Sequence, residues 1–169
     1  VSNKKINLKM LDEFQNAAEE CGIPKTNDFN TGDNTGIGFF QFTTNHNKSL
    51  LKLRCSAAKG YLNPVKKRNN LKIITEAHVQ KINFDGKKAE SVSFFQGDKV
   101  VTVKARREII LSAGSIGSPH ILQVSGVGDS NKLKKNGIQT IHELKGVGKN
   151  LQDHLMFRPV YKVKNLKSL

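Results

Sequence analysis

Residues 112–128 read SAGSIGSPHILQVSGVG, four glycines and four serines around one proline. Small residues at this density let a ligand come close to the backbone. Three kinds of chemistry use such a stretch: phosphate cradling, attack by an activated serine, and docking of a cofactor edge. A dinucleotide fingerprint needs a third glycine three positions after its GxG pair. The three GxG triplets of this chain place Gln41, Asn131 and Leu151 there, and all three fail. The phosphate loop GxxxxGK[ST] fails as well, with Asn150 after Gly148-Lys149 and Glu143 in place of the first glycine. The nucleophile elbow GxSxG is absent, since Gln123 and Ile116 stand two positions before Ser125 and Ser118. Ser118, His154 and Asp153 could compose a triad, but an Asp and a His adjacent in sequence rarely face one another as a triad requires. His154 is expected to be a hydrogen-bonded structural histidine at a strand start. The histidines at 46, 78, 120, 142 and 154 give no pair at zinc spacing on one helix face, so no metal site is expected. Cys21 and Cys55 have no CxxC partner and read as two reduced thiols.

A cofactor edge is the remaining chemistry. In REIILSAG (107–114), Ile109, Ile110 and Leu111 form the unbroken apolar run that a strand buried on both faces requires. The run ends in small residues, and the carboxyl end of such a strand is where α/β sheets bind cofactors. Ser118-Pro119 then starts a helix, with proline at its favoured first position. The beginning of that helix offers unpaired N–H groups. A plain reading competes with this one: the glycines simply make a tight turn from strand to helix.

The elements that must position this stretch follow from periodicity. INLKMLDEFQNAAEECGI (6–23) repeats apolar residues at helical spacing and closes on Gly22. Asn27 to Phe42 is turn-rich and feeds a short strand, FFQFT. Residues 56–67 predict a second helix capped by Ser56. LKIIT (71–75) and HVQKINF (78–84) alternate as strands do, Asp85-Gly86 signals a hairpin, and residues 88–96 and 99–106 complete a three-stranded meander. A helix over 130–137 and a strand over 138–144 follow. This order suits a mixed α/β (α+β) protein.

The composition is globular, with 37% hydrophobic and 25% charged residues. Net charge is +14, which raises nucleic acid as a partner because lysine and arginine release counterions from phosphate. The basic residues are spread from Lys4 to Lys167 rather than gathered into a stripe. They read as a solvated surface, and no specific nucleic-acid partner is expected. No run approaches a membrane span and no signal peptide is visible, which favours a cytoplasmic location.

Residues 114–128 resemble a signature of the glucose-methanol-choline (GMC) flavin oxidoreductases. Gly114, Ser115, Ser118, Pro119, Ile121, Leu122, Ser125, Gly126, Val127 and Gly128 fill it without a gap. Residues 40–64 are similar to a family segment ending in an alanine-tyrosine-leucine helix, with Gly60 in place of the usual alanine. NLKIITEAHVQKI (70–82) resembles the strand pair that crosses the adenine end of FAD, and GVGKNLQDHL (146–155) another family stretch. The continuation RPVYKVKNLKSL looks most like the choline-dehydrogenase-type branch.

The resemblance implies a piece of an FAD-dependent enzyme that oxidises an alcohol by hydride transfer to flavin. It implies part of an FAD/NAD(P)-binding, Rossmann-like domain with a β-meander, plus the start of an antiparallel-sheet substrate domain, the fold being incomplete. Residues 1–45 would border the substrate domain, 46–154 would be the central part of the FAD domain, and 155–169 would begin the substrate-domain sheet. Val79 matches the position whose backbone meets the adenine. Ser112, Ala113 and Gly114 match the strand end beside the cofactor. The family's GxGxxG and its catalytic histidine have no counterpart in these residues, so no catalytic residue is expected here and the chain alone is expected to be inactive. The resemblance gives an alcohol as the small-molecule substrate and leaves the oligomeric state open. A basic nucleic-acid-binding module and a non-catalytic scaffold of the same fold are the alternatives.

Overall fold

The computed structural model describes residues 8–44 and 54–165. They divide into two compact units, one drawn from Val1–Lys72 with Phe157–Leu169 and the other from Ile73–Met156.

The first unit opens on α1, Lys9–Glu20. The helix ends as the glycine predicts. The Gly22 N–H donates to the Glu19 carbonyl at 2.9 Å and the Ile23 N–H to that of Ala18 at 3.0 Å, which is the Schellman pattern. Phe14 on α1 packs its ring against Tyr161, with centroids 5.8 Å apart. Two backbone hydrogen bonds clasp the turn-rich segment, from Ile37 N–H to Pro24 O and from Thr26 N–H to Ile37 O. The expected strand FFQFT (39–43) is not formed; Phe42 is an isolated bridge residue, and Thr44 just after it bridges Arg54. Ser56 does cap the next element, accepting from the Lys59 N–H at 3.2 Å. That element is one π-helical turn, Ala58–Leu62, rather than an α-helix to Lys67. Gly60 at its centre lowers helix propensity, and the Asn63 N–H reaches back five residues to Ala58 O.

The second unit is built on the meander: β1 Ala77–Asp85, β2 Lys88–Gln96 and β3 Lys99–Lys104, antiparallel in that order. Two-residue turns, Gly86-Lys87 and Gly97-Asp98, join the strands. LKIIT (71–75) forms no strand. The register between β1 and β2 shifts twice, with Gln80 left over in β1 and Glu90 left over in β2. These bulges reconcile a conflict of parity. Val79 and Ile82 are three residues apart and would face opposite ways in a regular strand, as would Ala89 and Val92. The extra residue places Val79, opposite Phe94, on the same face as Ile82, opposite Val92. Ile82 and Phe94 are buried on that face. On the other face Asn83 Nδ2 donates to the hydroxyls of Ser91 and Ser93, and Ser93 bonds Thr102, so the buried serines are satisfied.

Beyond β3 come α2 Gly114–Val124, β4 Val127–Gly128, α3 Ser130–Lys135 and β5 His142–Glu143. β4 and β5 pair in parallel, a two-residue remnant of the strand expected over 138–144. Asp129 caps α3, accepting from the N–H groups of Asn131 and Lys132. Val127 and Leu133 are buried. The strand expected over 107–114 is not formed, and Ile110 is 78% exposed. A strand buried on both faces needs ladder neighbours and a layer on each side, and the described residues supply neither. α2 begins at Gly114, four residues before the expected start, so Pro119 lies inside it. Among the described residues no helix is long and apolar enough to cross a membrane.

Candidate functional site

The start of α2 carries three of the four residues singled out in the sequence. Ser112, Ala113 and Gly114 are exposed in succession, and Ser115 and Ile116 after them. The Ala113 N–H donates to the Ser118 hydroxyl at 3.0 Å, which folds the entering chain back over the first turn. No side chain caps the helix amides themselves. Gly114 has φ of +83°, a region L-residues rarely adopt, and nothing lies within 4 Å of where its Cβ would stand. The result is an open, small-residue edge with N–H groups free to receive acceptor atoms. Such an edge can donate hydrogen bonds to acceptor atoms of a ligand lying against the backbone.

Val79, the fourth residue, is on β1 beside the Gln80 bulge and is half-buried. No hydrogen bond joins it to Ser112, Ala113 or Gly114 among the described residues. The connection runs through Ser125, just past the far end of α2. The Ser125 hydroxyl accepts from the Ile82 N–H at 2.8 Å and donates to the Ile121 carbonyl. The sequence offers Ser125 as a nucleophile, which the missing GxSxG pattern excludes, and as one position of the family signature. A small polar residue directly before the Gly126 turn was the available signal.

Gly126 then turns the chain with φ of +88°, and its carbonyl receives the N–H groups of Ile141 and His142. A Cβ there would stand 2.6 Å from Gln139 O and 2.7 Å from Ile141 Cγ1, so close backbone approach excludes any side chain. Gln123 reaches from α2 to the Val147 carbonyl at 3.2 Å, anchoring the 144–148 turn.

The triad of Ser118, His154 and Asp153 does not assemble. Ser118 is occupied by Ala113, and the Asp153 carboxylate accepts from the His154 backbone N–H rather than from its imidazole. His154 is exposed, and no strand starts there. Among the described residues no group of three or more His, Cys, Asp or Glu could hold a metal ion, and both cysteines are free thiols. Hydrogen bonds to the Lys132 and Asn131 amides and the nearby Lys149 and Lys132 charges hold the Asp129 carboxyl below its ordinary value. Its role is to cap α3.

The family described as GMC oxidoreductase matches residues 1–156, and the chain belongs to it. Over 163 residues it is 42% identical to an oxygen-dependent choline dehydrogenase of Pectobacterium atrosepticum, covering 96% of this chain and 28% of the relative. It is 41% identical over 157 residues to an alcohol dehydrogenase [acceptor] of Pseudomonas putida, covering 92% and 28%. An FAD-dependent oxidoreductase from Chaetomium thermophilum superposes with a TM-score of 0.77 at 34% identity, over 90% of this chain and 26% of that one. A pyridoxine 4-oxidase from Mesorbium loti gives 0.69 at 29%, over 85% and 27%. The chain thus spans little more than a quarter of the length of these relatives. Its mixed α/β architecture is theirs, and nothing in these likenesses supports a nucleic-acid-binding module.

Proposed function

We propose that this chain is part of an FAD-dependent oxidoreductase that oxidises the CH–OH group of an alcohol, with choline as the substrate favoured by its relatives. The observation that carries this reading is the open edge at the start of α2, with its uncapped amides and unfilled space at Gly114, in a chain of the GMC family. When bound, FAD supplies the acceptor for the hydride that leaves the alcohol carbon. Ser112, Ala113 and Gly114 bring small, exposed backbone to the cofactor, and the first α2 amides offer it donors. Val79 presents the backbone of β1 to the adenine end. None of these residues is a catalytic acid or base. Within this reading residues 46–154 serve the cofactor, while 1–45 and 155–169 border the substrate side.

The test is the protein expressed from its complete coding sequence. Flavin should co-purify with it, and choline should reduce that flavin under anaerobic conditions. A folded protein that takes up no FAD overturns the reading. One that binds FAD but is reduced only by other alcohols overturns the choline assignment alone.

A further inference from the structure

We infer that Ser125 is a positioning residue for the bound cofactor, acting through the backbone of β1; the inference rests on the flavin reading above. Ser125 is buried, and its hydroxyl makes two hydrogen bonds of different direction. It accepts from the Ile82 N–H at 2.8 Å and donates to the Ile121 carbonyl in the last turn of α2. β1 is the edge strand of the meander, so alternate backbone groups point away from β2 with no ladder partner. The Ile82 N–H is such a group; Ile82 is itself buried, and the Ser125 hydroxyl is the partner the amide has. Among the described residues this is the one hydrogen bond that joins α2 and its end to the meander.

Its place gives it a function beyond packing. Val79 lies three residues upstream of Ile82 on the same strand, with the Gln80 bulge between them. Ser112, Ala113 and Gly114 lie at the opposite end of the same helix. The Ser125 hydroxyl therefore sets the spacing between the strand offered to adenine and the helix start offered to the rest of the cofactor. A dinucleotide held at both points feels any change in that spacing. A mononucleotide flavin, which lacks the adenosine, has nothing to meet Val79 and is held at one of these points at most.

The experiment is a flavin titration of the stripped full-length protein with FAD and with FMN, comparing wild type, Ser125→Ala and Ser125→Thr. Ser125→Ala should weaken FAD on the order of tenfold while FMN changes by less than about twofold. Ser125→Thr, which keeps the hydroxyl, should recover most of the FAD affinity. Equal loss of both flavins, or loss of neither, overturns the inference, because a merely structural serine would not change their ratio. Should the alanine variant fail to fold, Ser125→Cys, close in volume but a poor acceptor, carries the same expectation. If the wild type binds neither flavin, the functional reading falls and this inference with it. If the wild type binds FAD and the ratio stays fixed, only the role of Ser125 falls.

Discussion

The hydroxyl of Ser125 and the backbone N–H of Ile82 lie 2.8 Å apart, forty-three residues apart in sequence, and both residues are buried. Removing the hydroxyl leaves a buried amide without a partner, which costs about 1–3 kcal/mol. Ser125→Ala should therefore lower the stability of the full-length protein by that amount in chemical denaturation. The Ile82 amide should lose hydrogen-exchange protection well beyond the average for β1. Unchanged protection would mean that another group takes over the donor.

Gly126 should tolerate no side chain. Its φ of +88° already costs an L-residue about 1–3 kcal/mol, and an alanine Cβ would press on Gln139 O and Ile141. Gly126→Ala should destabilise by more than the backbone strain alone. The 138–142 segment, which hangs on the Gly126 carbonyl, should show the largest rise in proteolytic cleavage. A melting temperature within a degree of wild type would contradict this packing.

Gly114 is the converse case. It shares the left-handed backbone, but its Cβ would meet nothing in the chain. Gly114→Ala should cost only the conformational strain, about 1–2 kcal/mol. Under the flavin reading it should also reduce cofactor affinity, on the order of tenfold, by putting a methyl group where the ligand approaches. Flavin absorbance per mole of protein, read beside the melting curve of the stripped protein, separates the two effects. Full occupancy in a folded Gly114→Ala protein would move the cofactor away from this edge.

Asp129 predicts an acid-sensitive α3. Its carboxyl is held below the ordinary carboxylate value, chiefly by the Lys132 amide. A depressed carboxylate contributes stability that is fully present above the unfolded pKa and lost as pH falls through the folded one. Asp129→Asn can still accept from the cap amides but has no charge to lose. It should hold near wild-type stability at neutral pH and show a shallower decline below about pH 4. Melting curves from pH 7 to pH 3 provide the comparison, and identical slopes would assign the acid response to other carboxylates.

Local rules captured the elements whose pattern is self-contained. Residues 88–96 form β2 with the expected bounds, and the glycine at 22 stops α1 in a Schellman turn. The small residues at 112–114 read as the end of a buried strand; no strand forms there, and they lie exposed at the start of α2 instead. The failures lie where structure depends on distant partners. Ile109–Leu111 has the composition of a central strand, but composition does not create neighbours, and the segment stays unpaired and exposed at Ile110. Proline at the first helical position is a preference, and Pro119 instead sits one turn inside α2. Ser125 itself was visible as a small polar residue before the Gly126 turn, but its partner was not, because the Ile82 contact is a backbone amide and leaves no trace in residue type.

The two leftover residues of the β1–β2 hairpin also constrain how this segment can change length. Deleting Gln80 would join Val79 directly to Lys81, and Val79 would still lie opposite Phe94 on the face of Ile82. Deleting Glu90 would likewise keep Ala89 opposite Phe84 on the face of Val92. Each strand therefore carries one residue that adds nothing to the ladder and can be lost without turning the sheet over. Loss of any paired residue would instead reverse every side chain beyond it. Among homologous chains, single-residue deletions in this hairpin should gather at these two positions, which act as slack in an otherwise fixed register.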